Sequence, residues 1–316
     1  MAFDVPILFC VFNRPELTRS VFEVIARQKP KHLLVACDGP RRDRPDDNAL
    51  VKQTRAIFDS IDWDCEVQFN FSDTNKGCRQ QMADAISWGF EQHERLIILE
   101  DDCQPNDSFF SFCHQMLIRY RESPEVMMIS GNNYPQAGEF QHDYRFSKYP
   151  LIWGWATWRR AWQRYDLEMK LWDKLEVRDY VLNNFTENPE ERAFWQNIFE
   201  NQCAGKIDTW DYSWTFACWA HNGLSILPRV NLVSNIGFGE QATHTLDKQS
   251  PMANQKTYPL EASNHPQGIS RIQSADRKIH EIVFEPPTPA QVTKPCLLYT
   301  SPSPRDLSTS RMPSSA

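Results

Sequence analysis

The stretch RLIILEDDC at residues 95–103 constrains the fold more than any other part of the chain. Its four consecutive apolar residues, Leu96 to Leu99, predict a strand that is buried on both faces, as in a parallel sheet. Three acids follow at once, at positions 100–102. Adjacent carboxylates repel one another and are tolerated only where water solvates them or a cation neutralises them. The strand therefore ends either in a cation-binding group or in a solvated acidic turn before Pro105.

Three strand–loop–helix repeats precede this strand. We predict strands at residues 5–12, 32–37 and 66–71, and helices at residues 16–28, 49–60 and 78–92. Further strands are predicted at residues 126–130, 224–227 and 231–234. Strands that alternate with helices form a parallel sheet with right-handed crossovers. The predicted fold class is therefore α/β, with a mostly parallel sheet flanked by helices.

Polar or charged side chains follow each of the first four predicted strands. They are Arg14, Asp38, the pair Asn75 and Lys76, and the acids Glu100, Asp101 and Asp102. Ligands of open α/β sheets bind outside the carboxyl ends of the strands, where these side chains would meet. Both signs of charge at one edge predict a nucleotide-diphosphate site, and carboxylate oxygens suit Mg²⁺ or Mn²⁺. The glycine-rich motifs of dinucleotide and P-loop sites are absent, which argues against those two classes.

Composition excludes further classes. The net charge of −7, without a basic block, argues against nonspecific nucleic-acid binding. No apolar run approaches membrane-spanning length and no leader opens the chain, so we expect no transmembrane segment. The nine cysteines lack C-x-x-C pairs, which is typical of reduced cytoplasmic thiols rather than a zinc site.

Most of the eleven tryptophans lie between Trp153 and Trp219. Such crowding indicates either packed core or a platform on which sugar rings stack. The segment IWGWATWRRAW begins at Ile152, and its Gly154 allows a tight turn. The spacing of Trp158 and Trp162 predicts that both lie on one helix face.

The chain from Val5 to His244 resembles a GT-A fold glycosyltransferase. It is similar to bacterial family 2-like nucleotide-diphospho-sugar transferases. It also resembles the animal N-acetylglucosaminyltransferase I group, whose metal motif is likewise Glu-Asp-Asp after an apolar strand. Five stretches in a fixed order carry the resemblance, namely residues 7–14, 37–39, 96–109, 153–162 and 210–214.

The resemblance implies a GT-A, Rossmann-like domain at residues 1–245. Its nucleotide-sugar-binding half would span residues 1–135, and its aromatic-rich acceptor half residues 136–245. We expect a loop-rich extension at residues 246–295. Residues 296–316 are rich in Ser, Pro and Arg and resemble a disordered, non-native tail.

The resemblance implies a metal-assisted transfer from a UDP-linked sugar donor. Asp102 would bind the divalent metal, Mn²⁺ or Mg²⁺. Asp101 would contact the donor's ribose or sugar, and Glu100 would hold nearby sugar or base groups. The remaining nucleotide contacts would come from Asp38 on the base, from Arg14, and from Asn75 and Lys76 near the phosphates. Arg14 also suits a surface arginine beside a helix start, and Asn75 and Lys76 also suit an ordinary turn.

The acceptor would be a glycan or a lipid-linked glycan at the inner face of the membrane, with peripheral membrane association left open. Asp211 is the predicted base of an inverting transfer, because Trp210-Asp211-Tyr212 resembles the family's base region, and Asp208 is its substitute. Asp211 also suits a cap for the following helix. The predicted acceptor platform consists of Trp153, Gly154, Trp155 and Trp158.

His244 follows a Gly-rich segment, and the resemblance implies a metal or phosphate ligand there, although a lone His is commonly structural. The simple Asp-x-Asp motif of many GT-A enzymes is absent, which leaves metal dependence open. One alternative is a nucleotidyltransferase that makes nucleotide sugars, but Val11 to Pro15 lacks the Gly-rich loop of that class. The other is a noncatalytic carbohydrate-binding module, which would not need the acidic strand end.

Overall fold

The computed structural model describes residues 3–134, 141–238 and 252–284, and these ranges contain one large sheet and one small one. The strands are β1 (Ile7–Val11), β2 (His32–Cys37), β3 (Glu66–Phe71), β4 (Arg95–Glu100), β5 (Cys103–Pro105), β6 (Val126–Ser130), β7 (Tyr144–Ser147), β8 (Trp155–Trp158), β9 (Leu224–Pro228) and β10 (Val233–Asn235). The helices are α1 (Pro15–Gln28), α2 (Asp47–Ala56), α3 (Cys78–Gln92), α4 (Asp107–Arg119), α5 (Arg159–Trp162), α6 (Leu175–Phe185), α7 (Pro189–Cys203), α8 (Asp211–Ala220) and α9 (Gln273–Val283).

The large sheet has eight strands in the order β3-β2-β1-β4-β8-β6-β9-β7. Its first four strands are parallel, and Phe9 of β1 lies between Val35 of β2 and Leu99 of β4. All five residues of β1 are buried, because helices cover the apolar strands on both faces. These observations confirm the predicted α/β class, with a large, mostly parallel sheet flanked by helices.

The order of the strands reverses between β1 and β4. Chain connections run outwards from β1 to β2 and β3, and the next connection, through α3, returns to β4 on the other side of β1. Right-handed crossovers therefore place α1 and α2 on one face of the sheet and α3 on the other. The carboxyl ends of β1 and β4 diverge at this point, and such a switch point opens a crevice for a ligand.

The second half of the large sheet is mixed. Strand β8 runs antiparallel to β4 and β6, so Trp158 belongs to a strand and only residues 159–162 form one helical turn. The prediction that Trp158 and Trp162 share a helix face was therefore wrong. The Trp and Thr side chains of β8 favour a strand, and that strand covers an edge of β4 that would otherwise be unpaired.

The C-terminal helix α9 is fixed to the sheet by buried polar contacts. Ser147 Oγ donates a hydrogen bond to Asp276 Oδ1 at 2.6 Å, and the backbone N–H of the neighbouring Lys148 donates to Asp276 Oδ2 at 3.4 Å. This helix lies within the extension at residues 246–295 that the sequence predicted to be rich in loops. None of the helices in the described ranges has the length and apolar character that crossing a membrane requires.

Candidate active site

A cleft with a volume of about 340 Å³ lies at the switch point between β1 and β4. Its wall carries five acids and two arginines, which are Asp38, Glu100, Asp101, Asp102, Asp208, Arg14 and Arg41. All four strand ends that the sequence analysis selected reach this cleft. Carboxyl ends of adjacent parallel strands share one edge, which explains why residues so far apart in the chain meet here.

Arg14 holds two acids of the β4 end together. Its Nε donates to Asp101 Oδ2 at 3.2 Å, and its Nη2 both donates to Asp101 Oδ1 and lies 3.0 Å from Asp102 Oδ2. Burial alone would lower the pKa of Arg14, but the carboxylates of Asp101 and Asp102 outweigh this effect and raise the pKa above its ordinary value. The guanidinium therefore stays charged and serves as the counter-cation of the acidic strand end. A surface role for Arg14 does not fit these contacts.

Glu100 faces the same cleft without an arginine of its own. Burial raises the pKa of Glu100 well above its ordinary value, and the carboxylates of Asp102 and Asp101 raise it further. Within the described residues, the single charge of Arg14 thus faces three carboxyl groups. A proton on Glu100 would leave one net negative charge, whereas a divalent cation would balance all three carboxylates together with Arg14.

Asp102 is the acid best placed for such a cation. Its carboxylate is partly exposed to the cleft, and Gly237 packs against it so closely that a Cβ there would lie 2.4 Å from Asp102 Oδ2. Within the described ranges, no group of three or more His, Cys, Asp and Glu residues is arranged to hold a metal. A Mg²⁺-type ion bound by one carboxylate and by substrate phosphates does not need such a group, so this donor set fits that mode. The predicted ligand His244 lies outside the described residues.

Asp38 organises the loop that leads into α3. Its carboxylate accepts hydrogen bonds from the N–H groups of Gly39, Lys76 and Gly77 at 2.8–3.2 Å and from Asn75 Nδ2 at 2.9 Å. Burial raises the pKa of Asp38, while the three backbone amides lower it. Asp38 and Asn75 therefore reach the cleft as a preformed, hydrogen-bonded pair.

The Lys76 side chain does not belong to the wall of the cleft. Its ammonium pairs with Asp84 of α3 at 2.8 Å, while its backbone N–H contacts Asp38. The predicted phosphate contact of Lys76 would require this ion pair to open. It stays a prediction.

Phe12 and Arg41 are cleft residues that sequence reasoning did not select. The Arg41 guanidinium lies 5.3 Å from the centre of the Phe12 ring, and its Nε donates to Asp47 Oδ2 at 2.6 Å. An aromatic ring beside a planar guanidinium is a surface on which a nucleotide base can stack. The available signal was an aromatic residue directly after a buried strand, next to Asn13-Arg14.

Asp208 lies over the start of α3. Gly77 has a left-handed φ of 80°, and a Cβ at this position would lie 3.5 Å from Asp208 Oδ2. The Cys78 thiol is close enough to Glu100, Asp211, Asp208 and Asp102 for each carboxylate to raise its pKa, although burial raises it most. The acids of the β4 end and the two candidate bases therefore surround one point, at the first turn of α3.

Asp211 is close to the cleft but is not part of its wall. It is the first residue of α8, is buried, and accepts a hydrogen bond from the Thr209 hydroxyl. Burial raises its pKa to about 6, whereas the Thr209 hydroxyl and the amides of Asp211 and Tyr212 lower it. A pKa near 6 suits a general base, but a buried carboxylate that is held by the Thr209 hydroxyl and the first amides of α8 cannot reach an acceptor hydroxyl without rearrangement. The geometry favours Asp208 of the two candidates.

We expect Asp211 to make stability dependent on pH. The folded chain keeps the Asp211 proton up to about pH 6, whereas the unfolded carboxyl releases it near its ordinary 3.8. The folded state thus binds more protons in this interval, so its stability falls as pH rises from about 4 to 6, by about 3 kcal/mol. Denaturant unfolding of wild type and Asp211→Asn at pH 4, 5, 6 and 7 measures this contribution. A constant difference between the two proteins would contradict it, and the exposed Asp43→Asn is the control.

Only one of the predicted acceptor tryptophans lines the cleft. Trp153 does so, and its ring meets Phe238 edge-on with the ring centres 5.6 Å apart. Trp155 is fully buried against Trp210 at 5.6 Å, and Trp158 is buried with its Nε1 donating to a backbone carbonyl of α4. Rings in these positions cannot stack on a sugar, so Trp155 and Trp158 belong to the core. Strand β8 explains their position, since its residues are buried on both faces.

Gly154 is required by packing. Its φ is +70°, and a Cβ there would lie 2.8 Å from Val233 Cγ2 of β10. Gly154, which the sequence analysis placed in the acceptor platform, is therefore packed against the protein itself. Trp210, which was not among the predicted acceptor residues, does line the cleft.

The chain has only distant similarity to known proteins. No known family and no curated protein matches its sequence. Mouse xyloside xylosyltransferase 1, in its apo form, is 11% identical at a TM-score of 0.33, over 68% of this chain and 81% of that chain. A UDP-glucose pyrophosphorylase complexed with UDP-glucose is 12% identical at a TM-score of 0.22, over 46% of this chain and 64% of that chain. At such TM-scores neither similarity assigns a function. The observed topology itself is that of a Rossmann-like α/β sheet, consistent with the GT-A fold.

Proposed function

We propose that this chain is a glycosyltransferase that moves a sugar from a UDP-linked donor to a hydroxyl of a glycan or lipid-linked acceptor. The supporting observation is the switch-point cleft, in which Arg14, Asp101 and Asp102 meet below the ends of β1 and β4. A cation-binding carboxylate and a fixed guanidinium at this place suit a diphosphate. A nucleotidyltransferase that makes nucleotide sugars would have a glycine-rich loop after its first strand, which residues 11–15 do not provide. A noncatalytic carbohydrate-binding module would not need these charged side chains.

The nucleotide would lie across the ends of β1 and β2. Phe12 and Arg41 offer a stacking surface for the base, and the Asp38–Asn75 pair offers hydrogen-bonding groups beside it. Arg14 would lie against the diphosphate. All cysteines of the described residues are free thiols, which supports the proposed cytoplasmic location.

A divalent cation held by Asp102 would supply Lewis-acid stabilisation of the diphosphate as it leaves. Asp208 would take the proton of the acceptor hydroxyl while the oxygen of that hydroxyl attacks the anomeric carbon of the donor sugar. The sugar–phosphate bond breaks on the opposite side, so that the nucleoside diphosphate departs with the bonding electron pair and the configuration inverts. Trp153 and Trp210 would bound the acceptor.

Titration of UDP with and without Mn²⁺ tests the donor site. We expect Mn²⁺ to increase the UDP affinity of the wild type by about tenfold or more, and Asp102→Asn to lose this gain, because the carboxylate no longer anchors the ion. Asp107→Asn, an exposed acid of α4, is the matched control. Metal-dependent UDP binding that survives in Asp102→Asn would reject Asp102 as the ligand. Binding of oligosaccharide without any UDP binding would favour the carbohydrate-binding module.

A further inference from the structure

The cleft contains a buried polar side chain to which neither the sequence nor the proposed mechanism gives a task. Gln81 of α3 lines the cleft and is only 9% exposed. It lies on the same helix face as Gly77, Cys78 and Met82, which also line the cleft. Helix α3 runs away from the cleft, so Gln81 lies one turn deeper than Gly77, on the floor.

The Gln81 carboxamide makes no hydrogen bond within the described part of the chain, where only its backbone N–H has a partner, the carbonyl of Gly77. A carboxamide carries one acceptor oxygen and two donor hydrogens, and in the free protein these face the cleft without a partner from the described chain. The exposed neighbour Gln80, by contrast, donates to Asp84 at 2.7 Å. A residue that only filled space would not need a polar end at this position.

The surroundings indicate what Gln81 would bind. The charged groups that suit a diphosphate, Arg14 and Asp102, are at the strand ends, and the stacking surface for a base is at Phe12 and Arg41. Gln81 is neutral and lies below the first turn of α3, where Glu100 and Asp208 surround Cys78. The hydroxyls of a sugar are neutral groups that both donate and accept hydrogen bonds, and the Gln81 carboxamide can do the same.

We infer that Gln81 hydrogen-bonds the hydroxyl groups of the sugar that is transferred, and so determines which donor sugar the cleft accepts. This inference rests on the proposed function. It concerns the sugar alone, so a nucleoside diphosphate without a sugar would not engage Gln81. A site built around a hydroxyl discriminates strongly against a donor that lacks it, because the buried amide is then left unpaired.

The test compares UDP with UDP-glucose, UDP-galactose, UDP-N-acetylglucosamine and UDP-xylose in calorimetric titrations with Mn²⁺. We expect the wild type to bind one of these sugars more tightly than UDP. Gln81→Met keeps the length of the side chain and should bind UDP as tightly as the wild type does. Its affinity for the preferred sugar donor should be at least about tenfold lower than that of the wild type. The exposed Gln80→Met should bind all ligands as the wild type does.

Thermal unfolding of the free proteins supplies the second readout. Gln81→Met replaces an amide that has no partner in the described chain by an apolar end of similar length, so we expect its midpoint to stay within about 2 °C of the wild type. A structural glutamine would instead lower the midpoint when replaced. A midpoint that is kept while sugar affinity falls is typical of a ligand-binding residue.

The outcomes separate this inference from the proposed function. Wild type that binds neither UDP nor any of the sugar donors rejects both. Wild type that binds UDP through Asp102 while Gln81→Met keeps the full preference for the sugar donor rejects only the role of Gln81. Equal loss of UDP and sugar-donor affinity in Gln81→Met also rejects it, since the residue would then shape the whole cleft.

Discussion

Replacing Asp208 by Asn should lower the rate of sugar transfer by about 10²–10⁴-fold, because the acceptor hydroxyl loses its base. Donor affinity should stay within about twofold of the wild type, since the groups proposed to hold the diphosphate are Arg14 and Asp102, whereas Asp208 lies over Gly77. The measurement combines single-turnover transfer rates with calorimetric titration of the donor. Asn retains the shape of the side chain, so a loss of rate reports the lost carboxylate.

Asp211→Asn is the matched control for this prediction. Its amide oxygen can still accept the hydrogen bond from Thr209 and cap α8, so the rate of transfer should fall by less than about tenfold. The opposite pattern, with an active Asp208→Asn and an inactive Asp211→Asn, would restore Asp211 as the base that the sequence predicted. Loss of rate in both variants, with donor affinity intact, would mean that Asp211 supports Asp208.

The choice between Asp208 and Asp211 as the base could not be made from the sequence. Both acids lie among aromatic residues within four positions, and a pattern of residue types cannot tell which carboxylate enters a cleft and which caps a helix. That distinction depends on where α8 begins, at Asp211, and on the left-handed turn at Gly77, over which the Asp208 carboxylate lies. Helix boundaries are set by such local contacts, and their exact positions are weakly encoded in composition.

The parallel part of the sheet was predictable because each strand is a run of apolar residues, and each run ends in a polar turn. Those turns also located the cleft, since Arg14, Asp38 and Asp101 meet there as expected. Tryptophan crowding was less informative. A tryptophan ring can either pack in the core or stack on a ligand, and the residue type alone does not distinguish the two. Trp155 and Trp158 belong to the core because they lie in β8, between β4 and β6.

Gln81 and Phe12 were missed for a related reason. A glutamine in an amphipathic helix is usually solvent-exposed, as Gln80 is, and a phenylalanine at a strand end usually packs in the core. Their significance comes from what surrounds them in space. The Gln81 amide faces the cleft without a partner in the described chain, and the Arg41 guanidinium lies 5.3 Å from the centre of the Phe12 ring. Neither property follows from the order of residues along the chain.

Arg14→Met should have the largest effect on stability of any single substitution in the cleft. The side chain of Arg14 is 15% exposed and that of Asp101 is 4% exposed, and removal of one partner leaves a buried carboxylate without its cation. We expect the free energy of unfolding to fall by about 3–5 kcal/mol. The matched control is Arg27→Met, because the pair of Arg27 and Asp107 is exposed and should contribute less than about 1 kcal/mol.

Two further measurements connect this loss to the ionic groups of the cleft. The double variant Arg14→Met/Asp101→Asn should regain most of the stability, because no unpaired charge then remains at position 101. Mn²⁺ should raise the unfolding midpoint of Arg14→Met more than that of the wild type, since the ion can replace the guanidinium beside Asp102. Absence of any Mn²⁺ effect in Arg14→Met would show that these carboxylates bind Arg14 alone, and metal-assisted transfer at this cleft would have to be abandoned.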